Sequence, residues 1–280
     1  MNLSQIDKHI VGWLSDYAMS SGVNGFVVGV SGGVDSALTS SLCASTQLET
    51  HLLELPIHQA QSQSKRAFIH MKSLKDIYSN VYMEQRDLTL VFDSLVSTLN
   101  LSKNHNTELS LANARARVRM TTLYAYAQNH NLLVIGTGNK IEDFGVGFYT
   151  KYGDGGVDIS PIADLFKSEV FELAKYKGVS QTILDAAPTD GLWKDERNDE
   201  DQIGATYPEL EVAMKWIIER NWNPLKDDVK NILEGNLKTR EKEVLLLFLE
   251  FHRSNSHKML PIPVCKIPKS YRTANENSIN

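Results

Sequence analysis

Two cysteines in 280 residues, Cys43 and Cys265, are too few and too far apart for a disulfide framework or a zinc spacing. Reduced, buried or incidental thiols are the expectation. No uninterrupted apolar run approaches the roughly 20 residues that a membrane-spanning helix needs. A signal-peptide pattern is also missing. The first 22 residues instead repeat apolar side chains at Ile6, Ile10, Leu14 and Tyr17 with charges between them, the pattern of an amphipathic helix. Nor is there a surplus of positive charge: 29 Lys and Arg stand against 34 Asp and Glu, a net −5. No overall field therefore recruits polyanions, nucleic acid is not an expected partner, and any phosphate site must be local. Internal repeats and low-complexity tracts are absent. These absences point to a cytoplasmic globular protein without a membrane partner, and the 42% hydrophobic and 22% charged content fits that class.

What is present is alternation. Residues 25–31 (GFVVGVS) are short, apolar and β-branched, a buried strand, and 34–46 reads as the helix after it. Residues 51–56 are expected to form a second strand stopped by Pro56, 61–76 a helix, and 81–84 a third short strand. Helical periodicity then runs over 88–99 and 108–129, before the fully apolar strand 132–136. Strands separated by helices imply parallel crossover units. The expected fold is α/β, a doubly wound parallel sheet with helices on both faces, with the working site at the carboxyl edges of the strands. Ser31 and Gly136 both fall at such edges. Two segments, 145–156 (GVGFYTKYGDGG) and 194–202 (KDERNDEDQ), read as mobile loops, and residues 208–254 as further helices. One domain over 1–268 with a frayed polar tail over 269–280 is expected.

The turn Gly29-Val30-Ser31-Gly32-Gly33-Val34-Asp35-Ser36 joins a buried strand to a helix. Such a turn presents consecutive backbone N–H groups at the positive end of a helix dipole, which suits phosphate oxygens, and Ser31 and Ser36 add hydroxyl donors. It is neither a dinucleotide fingerprint nor a Walker loop, and its acid, Asp35, lies within the loop itself. A carboxylate beside phosphates makes sense with a cation between them, and Mg²⁺ is the natural choice. Gly, Ser and Asp are also the ordinary vocabulary of turns and helix caps, so a plain turn in which Asp35 caps the helix is the competing reading.

This SGGVDS turn resembles the pyrophosphatase loop of N-type ATP pyrophosphatases, which cleave ATP between its α and β phosphates. Later motifs narrow the resemblance: Asn113-Ala-Arg-Ala-Arg117-Val-Arg119-Met120, Gly136-Thr137-Gly-Asn-Lys-Ile-Glu142, Thr150-Lys151-Tyr-Gly-Asp154-Gly-Gly-Val-Asp158 and Pro188-Thr189-Asp-Gly-Leu192. In that order they resemble the ammonia-dependent NAD synthetases, over nearly the whole chain. The resemblance implies an adenine nucleotide alpha hydrolase-like sheet with added C-terminal helices. It implies that residues 29–36 cradle ATP phosphates, that Asp35 and Glu142 bind Mg²⁺, and that Thr137, Lys167 and Thr189 touch ATP. Arg117, Lys151, Asp158, His257 and Lys258 would contact the dinucleotide. For the ammonia that such a reaction consumes, Asp154 or Asp158 on the glycine-rich loop is the candidate to position it. Asp199 and Glu200 would belong to a closing lid. Read without the family, Arg115, Arg117 and Arg119 are a solvated helix face, Glu142 a first-turn acid and His257-Lys258 a helix-end cap.

The reaction implied is attack of the deamido-NAD carboxylate on the α-phosphate of ATP, followed by displacement of AMP by ammonia to give NAD. Nothing resembles a glutaminase, so free ammonia or a separate supplier is expected. Family members are homodimers, and the apolar stretches between Leu95 and Leu133 are a candidate surface. Two rivals share the turn: another ATP pyrophosphatase ligase, and a non-catalytic adenine-nucleotide-binding module. Two departures from some bacterial members stand out. Glu54 replaces an Arg before Leu55-Pro56, which puts an ATP contact there in doubt. The spacing from Glu142 to Lys151 is one residue longer, so the substrate loop is expected to take a different path.

Overall fold

Phe26, Val27 and Val28 are all fully buried, which a strand achieves only when both faces of its sheet are covered. The computed structural model, which describes residues 1–189, 198–230 and 237–271, places them in β1 (Gly25–Gly29) at the centre of a parallel sheet. The sheet runs β3-β2-β1-β4, with β2 spanning Glu49–Glu54, β3 Val81–Gln85 and β4 Leu132–Ile135. Gly25 is in register with Glu49 on one side and Leu132 on the other. The helices are α1 (Leu3–Ser21), α2 (Val34–Ser45), α3 (Gln61–Ile77), α4 (Thr89–Leu99), α5 (Thr107–His130), α6 (Lys167–Tyr176), α7 (Gln181–Leu184), α8 (Asp199–Ile203), α9 (Tyr207–Glu219) and α10 (Thr239–Met259).

Alternate residues of each strand face opposite layers. Phe26, Val28 and Leu52 join Leu14, Leu38, Leu42, Met71 and Leu173 in a core shared by α1, α2, α3 and α6. Val27, Leu53 and Val134 join Phe92 and Ala127 under α4 and α5 on the other side. The doubly wound sheet expected from the alternation is therefore the fold observed. A third cluster lies off the sheet, where Ile141 and Val146 pack on Leu210 and Met214 of α9 and on Val244 and Phe248 of α10. Part of the 194–202 charge run, residues 190–192 of the Pro188 motif and the tail beyond residue 271 lie outside the described residues.

One segment differs from its sequence expectation. The glycine-rich stretch expected as a loop from residue 145 begins inside a single turn of π-helix, Ile141–Val146. A π-turn bonds each N–H five residues back and so absorbs one residue more than an α-turn.

Helix α2 is buried along most of its length and carries serines that a buried helix can hold only if their hydroxyls are bonded. Ser40 Oγ donates to Ser36 O at 2.7 Å, and Ser41 Oγ to Ala37 O at 2.7 Å. Ser40 also meets His70 Nε2 of α3 at 2.9 Å, tying the two helices together. Burial lowers the His70 imidazole from 6.5 to about 4. Because the unfolded chain then takes up a proton first as pH falls, stability is full above about pH 6.5 and is lost toward pH 4, by up to about 3 kcal/mol. Urea unfolding between pH 7 and pH 4 should display this loss, and His70→Gln should flatten it; an unchanged slope in the variant would assign the acid sensitivity elsewhere.

Candidate active site

The chain lays down β1, β2 and β3 in one direction and returns to place β4 on the other side of β1. The crevice at the carboxyl ends of β1 and β4 is thus the switch point of the sheet, where ligands of such folds bind. A cavity of 270 Å³ opens there, lined by the turn after β1, the 136–143 segment after β4, the 148–157 loop, Lys167 and Thr189.

The turn is wired from within. Ser36 Oγ donates to Gly33 O at 3.0 Å and accepts from Ser31 N at 3.2 Å, and Ser31 Oγ accepts from Gly33 N at 3.2 Å. Gly32, at φ +84°, packs against the backbone of α3, where a Cβ would lie 2.6 Å from Gln63 O, so only glycine fits. The start of α2 has no side-chain cap, and Gly33 to Ser36 at that start line the crevice, an arrangement suited to an anion cradle of the helix N-terminal kind.

Three charged side chains from distant parts of the chain converge beside this cradle. Lys167 Nζ, at the first residue of α6, donates to Asp35 Oδ2 at 2.7 Å and to Glu142 Oε1 at 2.9 Å. The lysine is 3% exposed, and the two carboxylates 18% and 16%. Burial alone would favour the neutral amine, but the two carboxylates outweigh it and hold the Lys167 pKa above the ordinary lysine value. Fully buried Asn139 arranges the pair. Its Oδ1 accepts from the backbone N–H of Ile141 and Glu142 at 3.1 and 3.2 Å, starting the π-turn, and its Nδ2 donates to Asp35 Oδ1 at 3.1 Å. From the other side Tyr207 OH donates to Glu142 Oε1 at 2.6 Å and lies 3.3 Å from Asp199 Oδ2. Tyr207 is set at the first turn of α9 by the Thr206–Glu209 capping box. Its ring lies under Lys167 at 4.6 Å, and burial with Glu142 and Asp199 nearby raises its hydroxyl pKa well above the usual tyrosine value.

Two further acids face the same space. Asp143 follows Glu142 in the π-turn and lies against Gly138, where any Cβ would overlap its carboxylate. Burial, then the charges of Glu142, Asp154 and Asp35, push the Asp143 carboxyl up to about 8. Asp154 belongs to an exposed stretch of the loop and also lines the cavity, with Oδ1 accepting from Thr150 N at 2.9 Å, and the protein packed around its carboxyl raises it as well.

Of the residues assigned to ATP by resemblance, Gly29, Val30, Ser31, Gly33, Val34, Asp35, Ser36, Thr137, Lys167 and Thr189 line the cavity, while Gly32 faces α3. Those assigned to the dinucleotide gather elsewhere. Arg117 donates to Lys151 O at 3.3 and 3.4 Å, Lys151 Nζ to His257 O, and Lys258 Nζ to Gly147 O and Tyr149 O at 2.9 and 2.8 Å. Arg117, Lys151, His257 and Lys258 are not among the residues that line the cavity. Asp158 accepts from Tyr124 OH at 3.0 Å and Val134 N at 2.8 Å, fastening the loop to β4. The arginines of α5 are not one solvated face: Arg115 lies over the Phe92 ring at 4.8 Å, and Arg119 bonds Leu55 O and Gln59 at the cavity wall. Glu54 also lines the wall, one oxygen accepting from Gln85 Nε2 at 2.9 Å.

A family profile described as NAD synthase matches residues 6–259. The chain belongs to the NAD synthase family. It is 33% identical over 257 residues to an NH(3)-dependent NAD(+) synthetase of Finegoldia magna, spanning 91% of this chain and 100% of that one. It is 35% identical to the Alkaliphilus oremlandii protein of the same description, over 95% and 98%. Among solved structures, NMN synthetase from Francisella tularensis superposes with a TM-score of 0.78 at 32% identity, covering 95% of this chain and 100% of that one. The NH3-dependent NAD synthetase from Campylobacter jejuni, in complex with nitrate, superposes at 0.72 and 25%, over 95% and 100%.

Within this NAD synthase, sequence reasoning had assigned no role to Asn139, Asp143 or Tyr207. A buried Asn directly before an acidic helical turn was the available signal for the first; for Tyr207, far along the chain, there was none. Asn139→Ala should lower turnover by about 10–100-fold, the usual cost of losing a residue that orients a charged site. Steady-state kinetics with a parallel thermal melt check it: full activity in a folded variant would remove Asn139 from the site.

Proposed function

We propose that this ligase of the NAD synthase family amidates deamido-NAD with ammonia at the expense of ATP, forming NAD, AMP and pyrophosphate. The observation that carries the reading is the uncapped glycine turn and the Asp35–Glu142 pair facing one 270 Å³ cavity at the switch point of the sheet. A purely binding module would have no use for two carboxylates brought together beside a phosphate cradle.

The donor set fits a hard divalent cation. Asp35 and Glu142 supply anionic oxygens, their side-chain hydrogen-bond partners are Asn139, Lys167 and Tyr207 with no sulfur or imidazole, and no cluster of three or more His, Cys, Asp or Glu among the described residues would cage a metal alone. That is the pattern of Mg²⁺, held by one or two carboxylates and completed by phosphates and water. When bound, Mg²⁺ would neutralise phosphate charge and so permit one anion to attack another.

The chain's own residues would do the rest. Backbone amides at the start of α2 receive the phosphates, and Lys167 adds a cation where pyrophosphate charge develops. Thr137 and Thr189 stand at the rim for the nucleotide. The substrate carboxylate, held in line with the α-phosphate, becomes an acyl adenylate, and most of the gain comes from positioning. Asp154, with Asp143 beside it, offers a carboxylate to hold ammonium until it gives up a proton and attacks the acyl carbon. Phe148 and Tyr149 wall this end against water. A cytoplasmic location and a homodimer belong to the same reading. Leu90, Val91 and Leu109, exposed on α4 and α5, make an apolar face of the kind a second copy covers.

A second reading, with nicotinate mononucleotide as acceptor, is favoured by one observation. Arg117, Lys151, His257 and Lys258 lie outside the cavity and are bonded to main-chain carbonyls, and the Francisella tularensis structure is that of an NMN synthetase.

Purified chain given ATP, Mg²⁺, ammonium and deamido-NAD should yield NAD, AMP and pyrophosphate by mass spectrometry, with glutamine no substitute for ammonium. A higher kcat/KM with nicotinate mononucleotide would move the acceptor to the second reading. Pyrophosphate release with neither acceptor would refute both. Asp35→Asn should cost about 10² or more in kcat. Arg117→Ala should raise the dinucleotide KM more than the ATP KM, and the reverse would place Arg117 on the ATP side.

A further inference from the structure

A buried ammonium is tolerated only when paired, and Lys167 is paired with the two carboxylates that the proposed function gives to a divalent cation. Its Nζ stands 2.7 Å from Asp35 Oδ2 and 2.9 Å from Glu142 Oε1, filling the space between them, with the Tyr207 ring closing the far side. A divalent cation bound to those same oxygens would lie within a few ångströms of the ammonium, where like charges repel strongly in a partly dry site. The two cannot occupy the place together.

We infer that Lys167 is a resident cation: it holds Asp35 and Glu142 together in the metal-free enzyme, and a divalent cation enters only with a nucleotide whose phosphates draw the lysine ammonium away. This rests on the reading of Asp35 and Glu142 as the cation's ligands and goes beyond it by assigning an order of binding. The geometry supplies both ends of the exchange. Phosphates seated at the start of α2 would lie in the cavity that Lys167 already lines, so the ammonium exchanges carboxylates for phosphate oxygens by a side-chain rotation without unburying. Meanwhile Asn139 Nδ2 on Asp35 Oδ1 and Tyr207 OH on Glu142 Oε1 keep the carboxylates facing each other while the cation between them changes. The site thus keeps its shape without metal and without the mutual repulsion of two bare carboxylates.

The test is Mn²⁺ binding followed by electron paramagnetic resonance on the full chain, without nucleotide. The intact protein should bind Mn²⁺ weakly, Lys167→Met at least about tenfold more tightly because its carboxylates lack a counter-charge, and Lys167→Arg as weakly as the intact protein. Adding Asp35→Asn to Lys167→Met should abolish the gain. If Lys167→Met proves too unstable for titration, Mn²⁺ should raise its Tm while leaving that of the intact chain unmoved. Equal affinities, or equal Tm shifts, would overturn the resident-cation proposal while leaving the ligand assignment standing. Failure of the intact chain to retain Mn²⁺ even with a non-hydrolysable ATP analogue would overturn the ligand assignment, and the proposal with it.

Discussion

The contact on which this structure turns is the pair of ion pairs from Lys167 to Asp35 and Glu142. The three residues come from the start of α2, the π-turn after β4 and the start of α6, so their meeting requires the sheet, both crossovers and the C-terminal helices to be in place. Each partner is delivered largely by apolar packing, reinforced by a few buried polar contacts such as Ser40 with His70 between α2 and α3. Helix α2 is pressed between the sheet and α1, α3 and α6, and the π-turn is clamped from outside by Phe248 and Met214. The apolar cores therefore act on the site through geometry. They bring together charges whose burial is tolerable only while all three are present.

Much of this was legible in the sequence because it depends on local periodicity. Strands β1, β2 and β4 contain short apolar runs with glycine or proline at or beside an end, and the intervening helices carry apolar spacing, so the order of elements and the parallel, doubly wound sheet follow from the sequence; β3, VYMEQ, is the least apolar of the four. Strand ends were less legible: β1 stops at Gly29 and β2 begins at Glu49, since pairing with neighbours decides ends and periodicity does not. The glycine turn and the identity of Asp35, Glu142 and Lys167 were legible through a resemblance to a known family. The shape of the 145–156 stretch was not, because an α-turn and a π-turn have no separate residue vocabulary. Tyr207 was invisible for a different reason. Its role comes from a hydroxyl delivered across 65 residues by a capped helix, and no local pattern encodes that distance.

The π-turn deserves a physical account beyond its length. By absorbing one residue it keeps Glu142 on Asn139 and Ile141 in the C-terminal core, while turning Asp143 toward Gly138 and the cavity. An α-turn with the same sequence would rotate one of these three away from its place. The cost is a cavity rich in acid, with Asp35, Glu142, Asp143 and Asp154 all near one lysine. Burial and the neighbouring charges raise the carboxyls of Asp143 and Asp154, which lessens the mutual repulsion in such a crowd.

The 147–158 loop divides that acidic space from a basic one. Tyr149 and Asp154 line the cavity, whereas Arg117 and Lys258, outside that lining, donate to carbonyls of the loop and Lys151 donates to His257 O of α10. Carbonyl dipoles satisfy hydrogen bonds but cancel no charge, so three positive charges remain available to an anion that reaches them. A chain of net charge −5 thus carries a local positive field beside a site whose own charge is negative. A nucleotide with phosphates at one end and a carboxylate at the other would be attracted from outside the loop while its reactive end meets the pocket inside. The loop's glycines let one short stretch of backbone serve as the wall for both. The separation of charge, more than any single contact, would then orient the acceptor relative to ATP.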